Sequence, residues 1–316
     1  MLYLTEQDVR SVLTMGDAIA LVEQGLRDLA CQGAVDIPRQ RTRTALGTLS
    51  ILQGAAPSAG VAGYKAYYST PHGSRSHIYL YHATSGDPLA LIEANGFNVV
   101  RTGAASGVAT RYLARGDSTI VGQIGAGRIG AGQLEAVCAV RAIRRARVYA
   151  RTRDKLEAFC REMSERLDVE VLPADSGEAA VRGAHIINVI TKSATPVLSG
   201  AWLEPGQHIN AAGSNLLTRL ELDTDAVRRC DIVVVDSRET ARRESGDLLP
   251  LVESGKLRWE TLAELGEIMV ATRSGRVDHQ QVTLYESHGM AIEDLYVAAK
   301  VLALARAQGL GRELGT

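Results

Sequence analysis

The chain has 316 residues, of which 46% are hydrophobic and 22% charged, with a formal net charge of -1. That length suits two domains with a sizeable core. The balanced charge excludes an electrostatic nucleic-acid footprint, and no run approaches the apolar length of a membrane span. Aromatic residues make up only 4% of the chain, so aliphatic packing must carry the core.

Glu6, Asp8 and Arg10 interrupt the N-terminus early, which argues against a signal peptide and leads to an expected cytoplasmic location. Cys31, Cys138, Cys160 and Cys230 lie far apart without a CxxC spacing, and the seven His residues form no HxxxH or HExxH pair, so no metal site is expected.

Residues 5–33 are predicted to form two helices, with Thr5 capping the first and Thr14 preceding the second. Ile19, Leu21, Val22, Leu26 and Leu29 supply an apolar stripe. Residues 48–52, 61–68 and 77–81 then read as short strands, followed by a turn at 84–88 and a strand at 89–93, together an antiparallel sheet. Arg39, Arg41 and Arg43 alternate, so on a strand all three project from one face, as a solvated edge or as a ligand-binding row. Lys65 stands in an otherwise uncharged strand between Tyr64 and Ala66, where its ammonium needs a carboxylate partner or a ligand. Residues 95–115 form a helix whose small side chains permit close approach to another element. Arg101, beside Thr102 near its start, is placed to grip a substrate carboxylate or to make a structural salt bridge.

The centre of the chain is the stretch 119–130. An apolar strand at 120–124 stops at Gly125, and helical periodicity begins at Arg128. Gly125 permits the tight turn, Gly127 lets the backbone approach a pyrophosphate, and Gly130 lets helix pack on strand, so free N–H groups point at an anion. A second strand follows at 147–150 and ends on Arg151, Thr152 and Arg153. An NAD site usually places an acid here; cations and a hydroxyl fit the 2′-phosphate of NADP, or else open the next helix as a charged loop. Helices at 154–167, 177–183 and 223–229 then alternate with strands at 170–172, 185–190, 208–212 and 231–235. That alternation predicts a doubly wound parallel sheet, with ligand at the carboxyl ends of the strands, which carry Thr191, Gly213, Ser214 and Asn215. The last region contains helices, the segment 283–294 and a closing Ala- and Leu-rich helix.

Lys65 in Gly-Tyr-Lys, the block Arg101-Thr-Gly-Ala-Ala-Ser, Gly125-Ala-Gly127, the stretch 210–215 (Asn-Ala-Ala-Gly-Ser-Asn) and the stretch 287–294 (Ser-His-Gly-Met-Ala-Ile-Glu-Asp) together resemble the ornithine cyclodeaminase and mu-crystallin family, nearly end to end and in order. The resemblance implies an α/β protein in which a Rossmann-type doubly wound parallel sheet (117–290) accompanies an α+β substrate-binding and dimerisation domain (1–116 with 291–316). It matches Arg39, Lys65 and Arg101 to the family's substrate-contacting cations, with Arg41 beside them. Gly125, Ala126, Gly127, Arg128, Ile129, Arg151, Thr152, Thr191 and Ser214 match its cofactor contacts, with Thr102, Arg153 and Gly213 adjoining.

Within the resemblance two positions depart from relatives. Asn215 stands where cyclodeaminases have an aspartate, and an amide cannot act as that base; Gln53 stands where many relatives have a methionine against the substrate. The expected protein is therefore a homodimeric oxidoreductase that uses NADP(H) in preference to NAD(H) and reduces a small α-imino acid of the ketimine or pyrroline-carboxylate type, with Lys65 and Arg101 as catalytic residues. The alternatives are an amino-acid dehydrogenase, an opine-type synthase or a cyclodeaminase of the same family, and a non-catalytic NADPH-binding protein.

Overall fold

The computed structural model describes residues 1–315. Two compact units divide the chain: Met1–Arg101 with the segment from Met290 onward, and Thr102–Gly289. Sequence placed the first boundary near 116. It falls within a helix because the backbone of Gly103 lies against the Gly132 carbonyl, where a Cβ would collide, so residues from Thr102 on pack with the second unit. The small residues of this helix serve the close approach expected of them.

The first unit opens with β1 (Leu2–Leu4), α1 (Glu6–Val12) and α2 (Met15–Ala30). Thr5 caps α1 through a reciprocal box with Asp8, and the Thr14 hydroxyl accepts from Asp17 N–H at the start of α2, as predicted. Strands β2 (Val35–Arg43), β3 (Thr48–Ala56), β4 (Val61–Thr70), β5 (Gly73–His82) and β6 (Pro88–Glu93) follow as an antiparallel meander, and α3 (Phe97–Leu113) leads into the second unit.

In the second unit β7 (Ile120–Ile124), α4 (Arg128–Val140), β8 (Arg145–Tyr149), α5 (Arg153–Leu167), β9 (Glu170–Pro173), α6 (Gly177–Val181), β10 (Ile186–Val189), β11 (His208–Ala211), α7 (Thr224–Arg228), β12 (Ile232–Val235), α8 (Arg238–Glu244), α9 (Leu249–Glu253), β13 (Ala263–Glu264), α10 (Leu265–Met269) and β14 (Thr283–Glu286) build an α/β layer structure. Its eight strands are all parallel, in the order β13-β12-β14-β11-β10-β7-β8-β9. The chain leaves β7 toward β8 and β9, then returns to β7's other flank with β10, so the topological switch point lies between β7 and β10. Both faces of the sheet are covered. Leu134, Val137, Leu156, Phe159 and Met163 fill one side, and Val181, Leu198, Leu222, Val227 and Leu251 the other. Strand β14, which sequence left as an unassigned segment, is inserted between β11 and β12.

The chain then returns to the first unit as α11 (Ala291–Ala307) and β15 (Arg312–Glu313), completing a seven-stranded sheet ordered β15-β1-β6-β5-β4-β3-β2. Helix α11 is buried along its whole first half and packs on α2 and on β3 to β5. Register decides which side chains meet it. Directly paired residues share a face, so Leu52, Lys65, Ile78, Ile92 and Leu4 form one buried inner row across the sheet. At the end of that row Ile37 pairs with Gln53 and Gln40 with Ile51, leaving Pro38 and Arg39 together opposite Leu52. This β-bulge turns Arg39, and Arg41 after it, onto the inner face; without it Arg39 would share the outer face with Ile37. No helix among the described residues is long and apolar enough to cross a membrane.

Candidate active site

The chemistry-bearing groups of the first unit converge on the start of α11. Lys65, 3% exposed, donates from Nζ to Asp294 Oδ1 at 2.8 Å, with Oδ2 at 2.7 Å, and to Asn98 Oδ1 at 3.2 Å. Arg101 donates from Nη1 to Glu293 Oε2 at 2.7 Å, while its Nε meets Asp294 Oδ1 at 2.8 Å. One carboxylate is thus divided between a lysine and a guanidinium. The buried charged residues described in this unit are three cations, Arg39, Lys65 and Arg101, and two carboxylates, Glu293 and Asp294. Guanidiniums gathered in this way suit a carboxylate.

Burial pushes Lys65 down to about 7, with help from the Arg101 and Arg39 guanidiniums, while Asp294 works in the opposite direction. Of the carboxylate partner or ligand that sequence asks for at Lys65, the structure supplies a carboxylate, Asp294. Neither Asp294 nor Glu293 was named as a site residue, although a signal was present: adjacent acids in the first turn of an otherwise apolar helix have to be paired if that helix is buried. Arg41 is half-buried on the same inner face, level with Ser50. Gln53 pairs with Ile37 and Tyr64 and projects from the outer face, exposed, so the register does not bring it together with Lys65.

In the second unit the glycine turn has the form expected of a nucleotide cradle. Gly125 adopts φ +119°, and a Cβ there would overlap the Ile190 carbonyl oxygen; a Cβ on Gly130 would stand 2.7 Å from the Gly125 oxygen. The buried Gln123 side chain pins the turn by donating to the Gly125 and Gly130 carbonyls at 2.9 and 3.2 Å. Gly127 is different, because nothing lies within 4 Å of where its Cβ would be. It is the N-cap of α4, no side chain caps that helix, and Arg128 beside it is exposed. Open space in front of uncapped N–H groups at a helix N-terminus fits a pyrophosphate. Ala126 and Ile129 are half-buried around it, and Thr102 gives its carbonyl to Gln133 at 3.2 Å.

At the end of β8, Arg151 and Thr152 are exposed, and Arg151 has no carboxylate partner among the described residues. Arg153 does: it donates to Glu157 at 2.6 Å and to Asp175 at 3.0 Å. Beyond β10 and β11, the N–H and hydroxyl of Thr191 and the N–H of Gly213 all bond the buried Glu221. Ser214 is buried, with its hydroxyl near the Arg219 carbonyl at 3.3 Å, and Asn215 follows it half-buried on the same loop. Glu221 went unnoticed in sequence because it lies in a loop without periodicity.

A parallel sheet with a glycine turn beside its switch point, carried with an α+β unit that buries cations, defines a two-unit protein of the Rossmann dinucleotide-binding class. The chain belongs to the ornithine cyclodeaminase/mu-crystallin family, whose model matches residues 1–308. It is 31% identical to a Bacillus cereus Delta(1)-pyrroline-2-carboxylate reductase over 99% of both chains. Among solved structures it is similar to Thermococcus litoralis Delta(1)-pyrroline-2-carboxylate reductase in complex with NADH and L-proline, with 33% identity, a TM-score of 0.95 and coverage of 99% of this chain and 100% of that one. It is also similar to an archaeal alanine dehydrogenase dimer with bound NAD, with 29% identity, a TM-score of 0.94 and coverage of 100% and 99%.

Proposed function

We propose that the protein is an NAD(P)-dependent oxidoreductase that reduces the C=N bond of a small cyclic α-imino acid such as pyrroline-2-carboxylate. The observation that carries this reading is the buried set of Arg39, Lys65 and Arg101 braced by Glu293 and Asp294, because it gathers two guanidiniums and an ammonium where an α-carboxylate can be gripped. The two pyrroline-2-carboxylate reductases, full-length relatives, support it.

Arg101 and Arg39 hold the carboxylate, and the fixed guanidinium fork orients the imine carbon. Lys65, titrating near neutrality, holds on Nζ a proton that it can give to the imine nitrogen, so that the electron-poor iminium is the form that reacts. A dihydronicotinamide dinucleotide held by its pyrophosphate at the glycine turn would supply the hydride. Uncapped N–H groups of α4 beside Gly127 take the pyrophosphate, and Arg151 with Thr152 takes the adenosine ribose end. Since Arg151 stands where an acid would accept ribose hydroxyls, we propose NADP(H) in preference to the NAD(H) of the two solved relatives.

We also propose a cytoplasmic homodimer assembled on the outer face of the first unit's sheet. Val35 is 53% and Ile37 37% exposed there, alongside the stacked Tyr64–Tyr79 pair and Tyr81, and such an apolar face is what a second copy covers. The archaeal alanine dehydrogenase dimer supports a dimeric state, and four free thiols suit a reducing compartment.

The test is the oxidation of NADPH and of NADH by the purified protein with pyrroline-2-carboxylate. Turnover is expected, with the lower Michaelis constant for NADPH, and Lys65→Ala is expected to reduce it by orders of magnitude. Near-normal turnover in that variant removes Lys65 from the mechanism.

A further inference from the structure

The carboxyl ends of β10 and β11 are joined by a side chain that belongs to neither strand. Glu221 is fully buried and accepts the Thr191 N–H at 2.5 Å and the Thr191 hydroxyl at 2.6 Å on Oε1, and the Gly213 N–H at 2.8 Å on Oε2. Its own N–H, with that of Leu222, is held by buried Asp247 Oδ1 at 2.6 and 2.9 Å. The fit around it is tight. A Cβ on Gly213 would overlap the Glu221 carboxylate and the Thr191 backbone, and one on Gly246 would overlap the Arg219 carbonyl, so the 213–221 loop is clamped from both sides.

Three donors face this carboxyl, a set that suits the anion, which only accepts. Burial and the neighbouring Glu286 charge push it up to about 7, while the bonds from Thr191 and Gly213 pull the other way and favour the ionised form. A fastener between two loops does not require such a residue; what a charge-assisted set of three bonds adds is fixed geometry. The location explains why geometry matters. The sheet's switch point lies between β7 and β10, the glycine turn follows β7, and Arg151 follows β8 on the far side. A dinucleotide with its pyrophosphate on that turn and its adenosine end at Arg151 has its other half at the ends of β10 and β11.

Resting on the proposed cofactor reading, we infer that Glu221 is a positioning residue: it sets the separation of the Thr191 and Gly213–Ser214 loops and thereby shapes the crevice for the nicotinamide half of the dinucleotide. Asp247, which holds the Glu221 backbone, supports it from behind.

The experiment compares wild type, Glu221→Gln and Thr191→Val by fluorescence or calorimetric titration with NADPH and with 2′,5′-ADP, a fragment without the nicotinamide half. The amide keeps the shape of Glu221 but sets an NH2 against a donor. Its NADPH dissociation constant is expected to rise ~10–100-fold, and that of Thr191→Val ~3–10-fold. Affinity for 2′,5′-ADP stays within about 2-fold of wild type in both variants, because an adenosine-side ligand does not reach these loops. The Michaelis constant for the imino acid, measured at saturating NADPH, is likewise expected to be unmoved. The double variant is expected to bind NADPH no more weakly than Glu221→Gln alone, since both changes break one linkage.

Unchanged NADPH affinity in Glu221→Gln overturns the inference, and so does an equal loss of NADPH and 2′,5′-ADP, which marks a general loosening of the sheet. If Glu221→Gln does not fold, Thr191→Val decides by the same two ligands. A wild type that binds neither NADPH nor NADH refutes the cofactor reading instead.

Discussion

Replacing Asp294 with Asn probes how the buried cations of the first unit are held. Both oxygens of Asp294 contact Lys65, at 2.8 and 2.7 Å, and one also meets Arg101 at 2.8 Å. The amide keeps the volume and removes the charge. Burial, Arg101 and Arg39 all push Lys65 toward the neutral amine, and Asp294 is what opposes them. An opposite charge at this range moves a titrating group by about one to three pH units, so Lys65 should drop from about 7 to roughly 4–6 in the variant. Reduction that needs the ammonium loses rate as pH rises through that value. The alkaline fall in kcat/KM for the imino acid should therefore move to lower pH by the same interval.

The effect on stability has its own sign. Because the folded value of Lys65 lies below the ordinary 10.5, its contribution to stability is present above that ordinary value and is lost as pH falls through about 7. In acid the wild type still pairs the ammonium with Asp294, whereas the variant must bury it unpaired, at a cost of about 1–4 kcal/mol for a fall of one to three pH units. At pH 8 and above Lys65 is mostly neutral in both proteins, and only the Arg101 contact is missing. Initial rates from pH 5 to 9 and urea midpoints at pH 5 and 8 measure both effects. An alkaline limb at the same pH in variant and wild type would refute the assignment of Lys65, tuned by Asp294, as the proton-bearing group.

Three further outcomes follow from other parts of the molecule. Arg151→Asp should raise the Michaelis constant for NADPH far more than that for NADH, by about tenfold or more for a lost phosphate contact; an unaltered preference in parallel steady-state assays contradicts the phosphate role. Gly127→Ala, where a Cβ meets open space, should lower stability by less than about 1 kcal/mol yet weaken NADPH in a fluorescence titration, whereas full affinity shows that the backbone there does not approach the cofactor. Ile37→Glu places a charge on the outer face of the first unit's sheet, and sedimentation velocity should then report monomer in place of dimer; an unshifted coefficient puts the interface elsewhere.

Much of this protein was legible locally. Thr5 and Thr14 announced their helices because a cap is a matter of residues three apart, and the strand, glycine turn and helix of 120–140 declared themselves by a change of hydrophobic period. The same local signals picked out Lys65 and Arg101 as charges in places that require partners. They did not say which partners. Asp294 lies 229 residues from Lys65 along the chain, and only the docking of α11 on β3 to β5 unites them.

Register was equally out of reach. Side chains alternate across a sheet with period two, so a single extra residue exchanges the faces. The bulge at Pro38 and Arg39 therefore decides that Arg39 turns inward with Lys65, and plain alternation decides that Gln53 turns outward. Glu221 and the insertion of β14 between β11 and β12 depend in the same way on which strands become neighbours. What the amino acids determined by themselves were the elements and the chemical kinds of group available. Which of those groups face one another was settled by long-range packing, because pairing free energy depends on the spatial neighbour and carries no imprint in the local sequence.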